Sequence, residues 1–187
     1  MDSQEIEIKT ILLVGAGTMG QQIALQCAMH GYETHLYDIA PKMLEIAQMR
    51  IAEYLTTLLQ EGYLTAESAQ IAQARLHYFA DPAEAAEGAD LLSECVLEDP
   101  KIKGEVFAQF NRLCPAHTLF TTNTSTLLPS QYAQATGRPA QFAAFHFHNP
   151  VWVANVVDVM PHPGTTAAVV KQLVIFARSI DQVPIVL

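Results

Sequence analysis

The sequence is poor in the features that mark secreted, membrane-spanning or nucleic-acid-binding chains. Only three cysteines occur in 187 residues, Cys27, Cys95 and Cys114; their number is odd, and they are widely spaced with no CxxC pair. That excludes a disulfide framework and argues against thiol metal or redox chemistry, so they read as reduced, mostly buried thiols of a cytoplasmic protein. Lys and Arg total 10 against 19 Asp and Glu, a net charge of −9 with no basic block. A nucleic-acid surface is therefore not expected. The start, Met1-Asp2-Ser3-Gln4-Glu5, lacks the basic and apolar regions of a secretion signal. No apolar run approaches the roughly 20 residues needed to span a membrane. The single tryptophan, Trp152, reads as a packing residue rather than a cofactor stack. Hydrophobic residues are plentiful, at 50% of the chain, enough for the core of one well-packed domain.

Against that background, Ile11 to Asp38 stands out. Ile11-Leu12-Leu13-Val14 reads as a buried parallel strand, followed by Gly15-Ala16-Gly17-Thr18-Met19-Gly20 and a helix to about Met29. A G-x-G-x-x-G string alone constrains little, but here both flanks it requires are present. Gly15 suits a tight turn, Gly17 close approach of a pyrophosphate, and Gly20 helix-on-strand packing, while the helix N-terminus attracts phosphate. A second strand, Thr34 to Tyr37, ends in Asp38, whose carboxylate suits the ribose hydroxyls and repels a 2′-phosphate, favouring NAD over NADP. The alternative is a glycine-rich turn in another α/β fold.

After Asp38 an amphipathic helix runs from Pro41 to about Leu59, broken at Glu61-Gly62, with a second helix from Thr65 to about Ala74. Strands are expected at Leu76–Phe79, Asp90–Val96, Thr118–Asn123, Phe142–His146, Asn155–Val159 and Val183–Leu187. Helices are expected after Asp81-Pro82, after Asp99-Pro100 and from about Thr165 to Arg178. The alternation predicts an α/β, Rossmann-like, doubly wound and mostly parallel sheet with a helical hairpin inserted after the second strand. No repeat or linker divides residues 1–187, and the apolar ending resembles a domain cut from a longer chain.

Ligands of open α/β sheets bind beyond the carboxyl ends of the strands. Glu98 and Lys103, Asn123-Thr124-Ser125-Thr126, and His146-Phe147-His148-Asn149-Pro150 all fall there, with Asp158 twelve positions after His146. Oxidation of a hydroxyl needs a base for its proton, and histidine suits that role near neutral pH, with a carboxylate fixing its other ring nitrogen. Ser125 and Asn149 could orient the substrate oxygen. Spacing alone leaves other readings open: a hydrogen-bonded histidine at a strand end, or a capping turn before a helix near Pro129. His146 and His148 form an H-x-H pair. No third ligand lies at useful spacing, although folding could bring His162 near, so no metal is expected. His30, His35, His77 and His117 read as surface or satisfied histidines.

In combination these motifs resemble the NAD-binding domain of the L-3-hydroxyacyl-CoA dehydrogenase family, from Ile11 to Leu187. The resemblance implies His146 as base, Asp158 as its orienter, and Ser125 and Asn149 on the reacting group. It implies cofactor contacts by Gly15, Gly17, Thr18, Met19, Gly20, Asp38, Glu98, Lys103 and Asn123. It also implies a helical C-terminal domain carrying the dimer surface, so that the full-length protein is a homodimer. Three departures stand out. The orienting acid is Asp158 instead of glutamate, one methylene shorter, so its contact with His146 is expected to need a backbone shift or a bridging water. His148 replaces the second phenylalanine of H-F-F-N-P. The hairpin after Asp38 carries only Lys42 and Arg50 as cations before Arg75, a poor grip for CoA phosphates. The expected activity is NAD-dependent oxidation of a 3-hydroxyacyl-CoA; the alternatives are a dehydrogenase of free small 3-hydroxy acids and a non-catalytic NAD-binding module.

Overall fold

The computed structural model describes residues 7–187, so the Met1–Glu5 start read above lies outside the described residues. Strand β1 (Thr10–Val14) passes through the glycine loop into helix α1 (Thr18–Met29), and β2 (Glu33–Tyr37) follows. The hairpin is α2 (Pro41–Gln60) and α3 (Ala66–Ala74), then come β3 (Leu76–Phe79), α4 (Pro82–Ala86) and β4 (Leu91–Glu94). The second half is α5 (Pro100–Asn111), β5 (Leu119–Thr122), β6 (Phe142–Phe147), β7 (Val156–Pro161), α6 (Ala167–Ser179) and β8 (Val183–Val186). The eight strands form one sheet in the order β3-β2-β1-β4-β5-β6-β7-β8. Every pairing is parallel except β6 with β7.

Strand alternation explains why β1 is apolar throughout. Ile11 and Leu13 enter the core shared with α1, the hairpin and α6, while Leu12 and Val14 enter the opposite core with Phe107 and Phe110 of α5. Covered on both faces, the strand has no polar side to show. The hairpin has a packing role. Leu44, Ala47, Ile51, Leu55 and Leu58 of α2 recur at helical spacing and bury with Ala69 and Ala72 of α3 in the α1 core. Gly62, at φ +77°, lets the chain turn between the two helices.

The helix near Pro129 that the capping-turn alternative invoked does not form. From Pro129 the chain makes three separate 3-10 turns, Pro129–Gln131, Ala133–Thr136 and Pro139–Gln141. The two prolines carry no N–H, and Gly137 between them turns left-handed at φ +67°, so no continuous helical ladder can run through. Strand β4 also stops at Glu94, short of the expected Val96. The chain turns there because Glu94 bends back to accept the Val96 N–H at 2.6 Å.

Gly20 allows the helix to pack against the loop it leaves. A Cβ there would sit 1.9 Å from the carbonyl oxygen of Gly15, a backbone atom with no room to move. Gly15 itself holds φ +109°, and a Cβ would meet the Cys95 carbonyl oxygen at 2.7 Å. A Cβ on Gly17, by contrast, meets nothing within 4 Å. Gly20→Ala should therefore cost about 3 kcal/mol of stability through overpacking, whereas Gly17→Ala should stay within about 1 kcal/mol. Urea denaturation of the two variants measures the difference.

Candidate active site

The glycine loop opens into a cleft of about 440 Å3 at the carboxyl ends of β1, β2 and β4. Its walls are apolar beyond Asp38: Ile39, Val96, Leu97, Ile102 and Val106. The open space above Gly17 lies at the start of α1, whose first turn has neither a side-chain cap nor an acidic residue. Thr18, Met19 and Gly20 therefore present backbone to that space at the positive end of the helix dipole. Asp38 has structural contacts of its own. Its Oδ2 accepts the Ala16 N–H at 2.8 Å and its Oδ1 the Ala40 N–H at 2.9 Å, so it also shapes the glycine loop. Each oxygen keeps acceptor capacity for a hydroxyl. The residues fit a dinucleotide: space for phosphates, an acid for the ribose and apolar walls for the base. A larger hollow, about 590 Å3, lies between Met29, Tyr63, Trp152 and Arg178, and none of the expected catalytic or cofactor residues lines it.

Lys103 is buried completely, one turn into α5. Its ammonium donates to Glu94 Oε1 and Oε2 at 2.9 and 2.8 Å, and lies 3.2 Å from Glu98 Oε2. Burial pulls the Lys103 pKa down, but the two glutamates outweigh it and leave it raised. Burial also pushes the Glu94 carboxyl up, against the pull of Lys103 and the Thr122 hydroxyl. Glu98 ends lowered: burial raises it, but the Thr124 hydroxyl and Lys103 together prevail. Its Oε1 gathers the turn after β5, accepting from the Thr124 hydroxyl, from the Ser125 and Thr126 N–H groups at 3.2 and 3.3 Å, and from the Thr126 hydroxyl at 3.2 Å. The Asn123–Thr126 segment is thus a clasped loop, with no helix behind it to cap.

The clasp delivers Ser125. Its Oγ lies 3.0 Å from Nε2 of His146, near the end of β6. Nδ1 of the same ring contacts Asp158 Oδ2 directly at 3.2 Å. The expectation of a backbone shift or bridging water is corrected here. His146 and Asp158 stand directly opposite in the antiparallel β6–β7 pair, where facing Cβ atoms lie roughly 5 Å apart, so the shorter acid still reaches. Oδ2 of Asp158 is shared, because Nε2 of His148 also lies 3.0 Å away. Asn123 Oδ1 accepts the Phe147 N–H at 2.9 Å and ties the clasped loop to β6. Asn149 is exposed next to a cis peptide with Pro150, and its Oδ1 accepts from Gln22 Nε2 at 2.8 Å.

Two important side chains escaped the sequence reading. Glu94 looked like part of a buried strand, and only its place facing Lys103 gives it a role. Gln22 looked like an ordinary helix residue. It is buried in α1, donating to Asn149 and accepting the Val151 N–H at 3.0 Å, and so pins the chain after β6. A polar residue at a core position of the helix was the one available signal. The expectation that His162 might approach the H-x-H pair is corrected: it bonds the Pro139 carbonyl at 2.8 Å and the Gly164 N–H at 3.1 Å. The third group beside the pair is Asp158. His30, His35, His77 and His117 each have a partner, namely Gln26 and Asp181, the Ala85 carbonyl, Glu33, and Asp90. The cysteines are free, and burial pushes the Cys27 thiol up and that of Cys95 to about 12, so neither is a thiolate near neutral pH.

An open glycine loop followed by Asp38, beside a Ser–His–Asp array at adjoining strand ends, defines the class as a dinucleotide-binding α/β domain. Comparison with known proteins agrees. The family described as "3-hydroxyacyl-CoA dehydrogenase, NAD binding domain" matches residues 10–187, and the chain belongs to it. A 3-hydroxyadipyl-CoA dehydrogenase of Escherichia coli is 38% identical over 90% of this chain and 35% of its own length. A probable 3-hydroxybutyryl-CoA dehydrogenase of Bacillus subtilis is 34% identical over 83% of this chain and 54% of its own. Among solved structures, a 3-hydroxybutyryl-CoA dehydrogenase of Escherichia coli K12 superposes with a TM-score of 0.93 at 35% identity, covering 97% of this chain and 38% of that one. A diketoreductase gives 0.92 at 38% identity, covering 97% and 65%. The chain thus spans roughly a third to a half of the two curated relatives.

Lys103→Met should destabilise the domain by about 3–5 kcal/mol, because it leaves the Glu94 carboxylate buried without its partner. The double variant Glu94→Gln/Lys103→Met should recover part of that loss. Chemical denaturation of both variants checks it.

Proposed function

We propose that this chain, residues 1–187, is the cofactor domain of an NAD-dependent 3-hydroxyacyl-CoA dehydrogenase, with a helical C-terminal domain and a homodimer in the full-length protein. The observation that carries the reading is the contact series Ser125 Oγ, His146 Nε2, His146 Nδ1 and Asp158 Oδ2, at 3.0 and 3.2 Å. NAD, when bound, supplies the hydride acceptor. The backbone of Gly15, Gly17, Thr18, Met19 and Gly20 would hold its pyrophosphate, and Asp38 its adenosine ribose. Glu98 and Asn123 would stand beside the nicotinamide end, and Lys103 would act there by fixing Glu98.

The proton chemistry belongs to the chain. The Asp158 carboxylate selects the tautomer with hydrogen on Nδ1 and leaves the Nε2 lone pair facing Ser125. A substrate hydroxyl taking the place of the Ser125 contact would give its proton to Nε2, and the imidazolium formed would be stabilised by Asp158. Ser125 and Asn149 would hold the substrate oxygen. This direct Asp158 contact favours turnover over the alternative of a binding-only module.

A free 3-hydroxy acid is the second reading for the substrate. It is favoured by the hairpin, where Lys42 is already paired with Glu45 at 3.2 Å and few cations remain for CoA phosphates. The reduced thiols support a cytoplasmic location. Among the described residues no helix is long and apolar enough to cross a membrane.

Full-length His146→Ala should lose about 100-fold or more in NADH-linked reduction of a 3-ketoacyl-CoA. Retention of full activity would sink the mechanism, and parallel assays with free 3-keto acids decide the substrate class. Asp38→Ala should weaken NADH binding to the 187-residue chain by about tenfold or more, the loss expected for hydrogen bonds to a charged group. Fluorescence titration reads this directly, and unchanged affinity would refute the glycine-loop assignment.

A further inference from the structure

The pair of histidines and the acid that contacts both include one member that the proposed oxidation of a hydroxyl to a carbonyl does not require: the second ring, His148. Strand alternation puts His146 and His148 on one face of β6 and its extension, with ring centroids 4.7 Å apart. The antiparallel register brings Asp158 between them, Oδ2 at 3.2 Å from His146 Nδ1 and 3.0 Å from His148 Nε2. The three ligand atoms lie within 4.8 Å of one another.

We propose that His146, His148 and Asp158 form a site for a divalent transition ion of the zinc class. Bonds of about 2.0–2.1 Å in a tetrahedron place neighbouring ligand atoms about 3.3 Å apart. Two of the three edges already match that spacing. The third is wider, and closing it takes rotation of the His148 ring, whose side chain is 41% exposed. Two imidazoles and one carboxylate suit zinc, cobalt or nickel, and three protein ligands leave a fourth position for water. The side chains of His146 and Asp158 are 17% and 19% exposed, so an ion can reach them from solvent.

The site has a consequence that rests on the dehydrogenase reading. A neutral imidazole carries one N–H. An ion on Nδ1 of His146 leaves that proton on Nε2, the nitrogen facing Ser125, so the ring can no longer accept a proton from a substrate. Occupancy of the metal site and base catalysis are mutually exclusive, and the bound ion is an inhibitor.

Titrating the 187-residue chain with Co2+ tests the site without any assay of turnover. Saturable visible d–d absorption at one ion per chain is expected, displaced by Zn2+. His148→Phe and Asp158→Asn should each weaken binding by about tenfold or more, while His117→Ala, whose ring contacts Asp90, should not. Far-UV circular dichroism establishes that each variant is folded. No absorption from the folded chain at millimolar Co2+, or unchanged affinity in folded His148→Phe, overturns the site. In the full-length enzyme, Zn2+ should abolish turnover, chelator should restore it, and His148→Phe should lose that sensitivity as a ratio of rates with and without metal. Undiminished turnover by the metal-saturated enzyme would overturn the inhibition while leaving the Co2+ result standing. An enzyme inactive even without metal would count against the dehydrogenase reading alone.

Discussion

The site hangs on a charge that water never reaches. Taking an ammonium out of solvent costs several kcal/mol, and Lys103 is tolerable only because Glu94 and Glu98 meet it within 3.2 Å. That requirement does structural work at both ends. Glu94 closes β4 by bending back to the Val96 N–H, and Glu98 is held where its other oxygen can collect the turn after β5. One buried cation thereby fixes the relative positions of two strand ends, and Ser125 is carried on the second. Replacing the trio with apolar residues could preserve packing, yet it would release the loop that presents Ser125.

On the other side of the site the constraint is register. In a parallel pair, residues twelve apart in sequence cannot face one another, because a crossover of at least about a dozen residues must intervene and the strands then start in step. Reversal of β7 removes that limit, so Asp158 runs back past His146 and lands opposite it. The last parallel pairing before this reversal, β5 with β6, brings in the serine-bearing loop. His146 therefore sits where the sheet changes sense, reached from one neighbour by a hydroxyl and from the other by a carboxylate.

What could be read from the sequence divides along the same physical lines. The glycine loop, the buried strand before it and the helical hairpin depend on local chemistry: φ preferences, caps and a helical apolar stripe. They were legible to within a few residues. So was the group of strand-end motifs, because an alternating α/β chain puts the carboxyl ends of its parallel strands on one rim. Contacts fixed by pairing were not legible. A shorter acid at position 158 looks too short when judged by side-chain length, and only the facing register makes it long enough. Glu94 and Gln22 were hidden for a related reason, since their partners come from other elements. The capping-turn alternative fails for a local reason, since two prolines and Gly137 prevent a continuous helix after Pro129.

Register also explains why one substitution within the H-F-x-N-P segment matters more than its neighbours. Phe145 and Phe147 point into the core, where they stack edge to face at 5.0 Å and have no access to the site. Position 148 belongs to the other face, alongside His146. A phenylalanine there would offer Asp158 nothing, leaving the carboxylate wholly to His146. A histidine divides it: Oδ2 must serve two rings, and each can hold it only by directing an N–H toward it. The contact to His146 is the longer of the two, at the upper end of the hydrogen-bond range. Asp158 is thus shared between two rings, and the geometry that results from this competition is also that of the proposed metal ligand set.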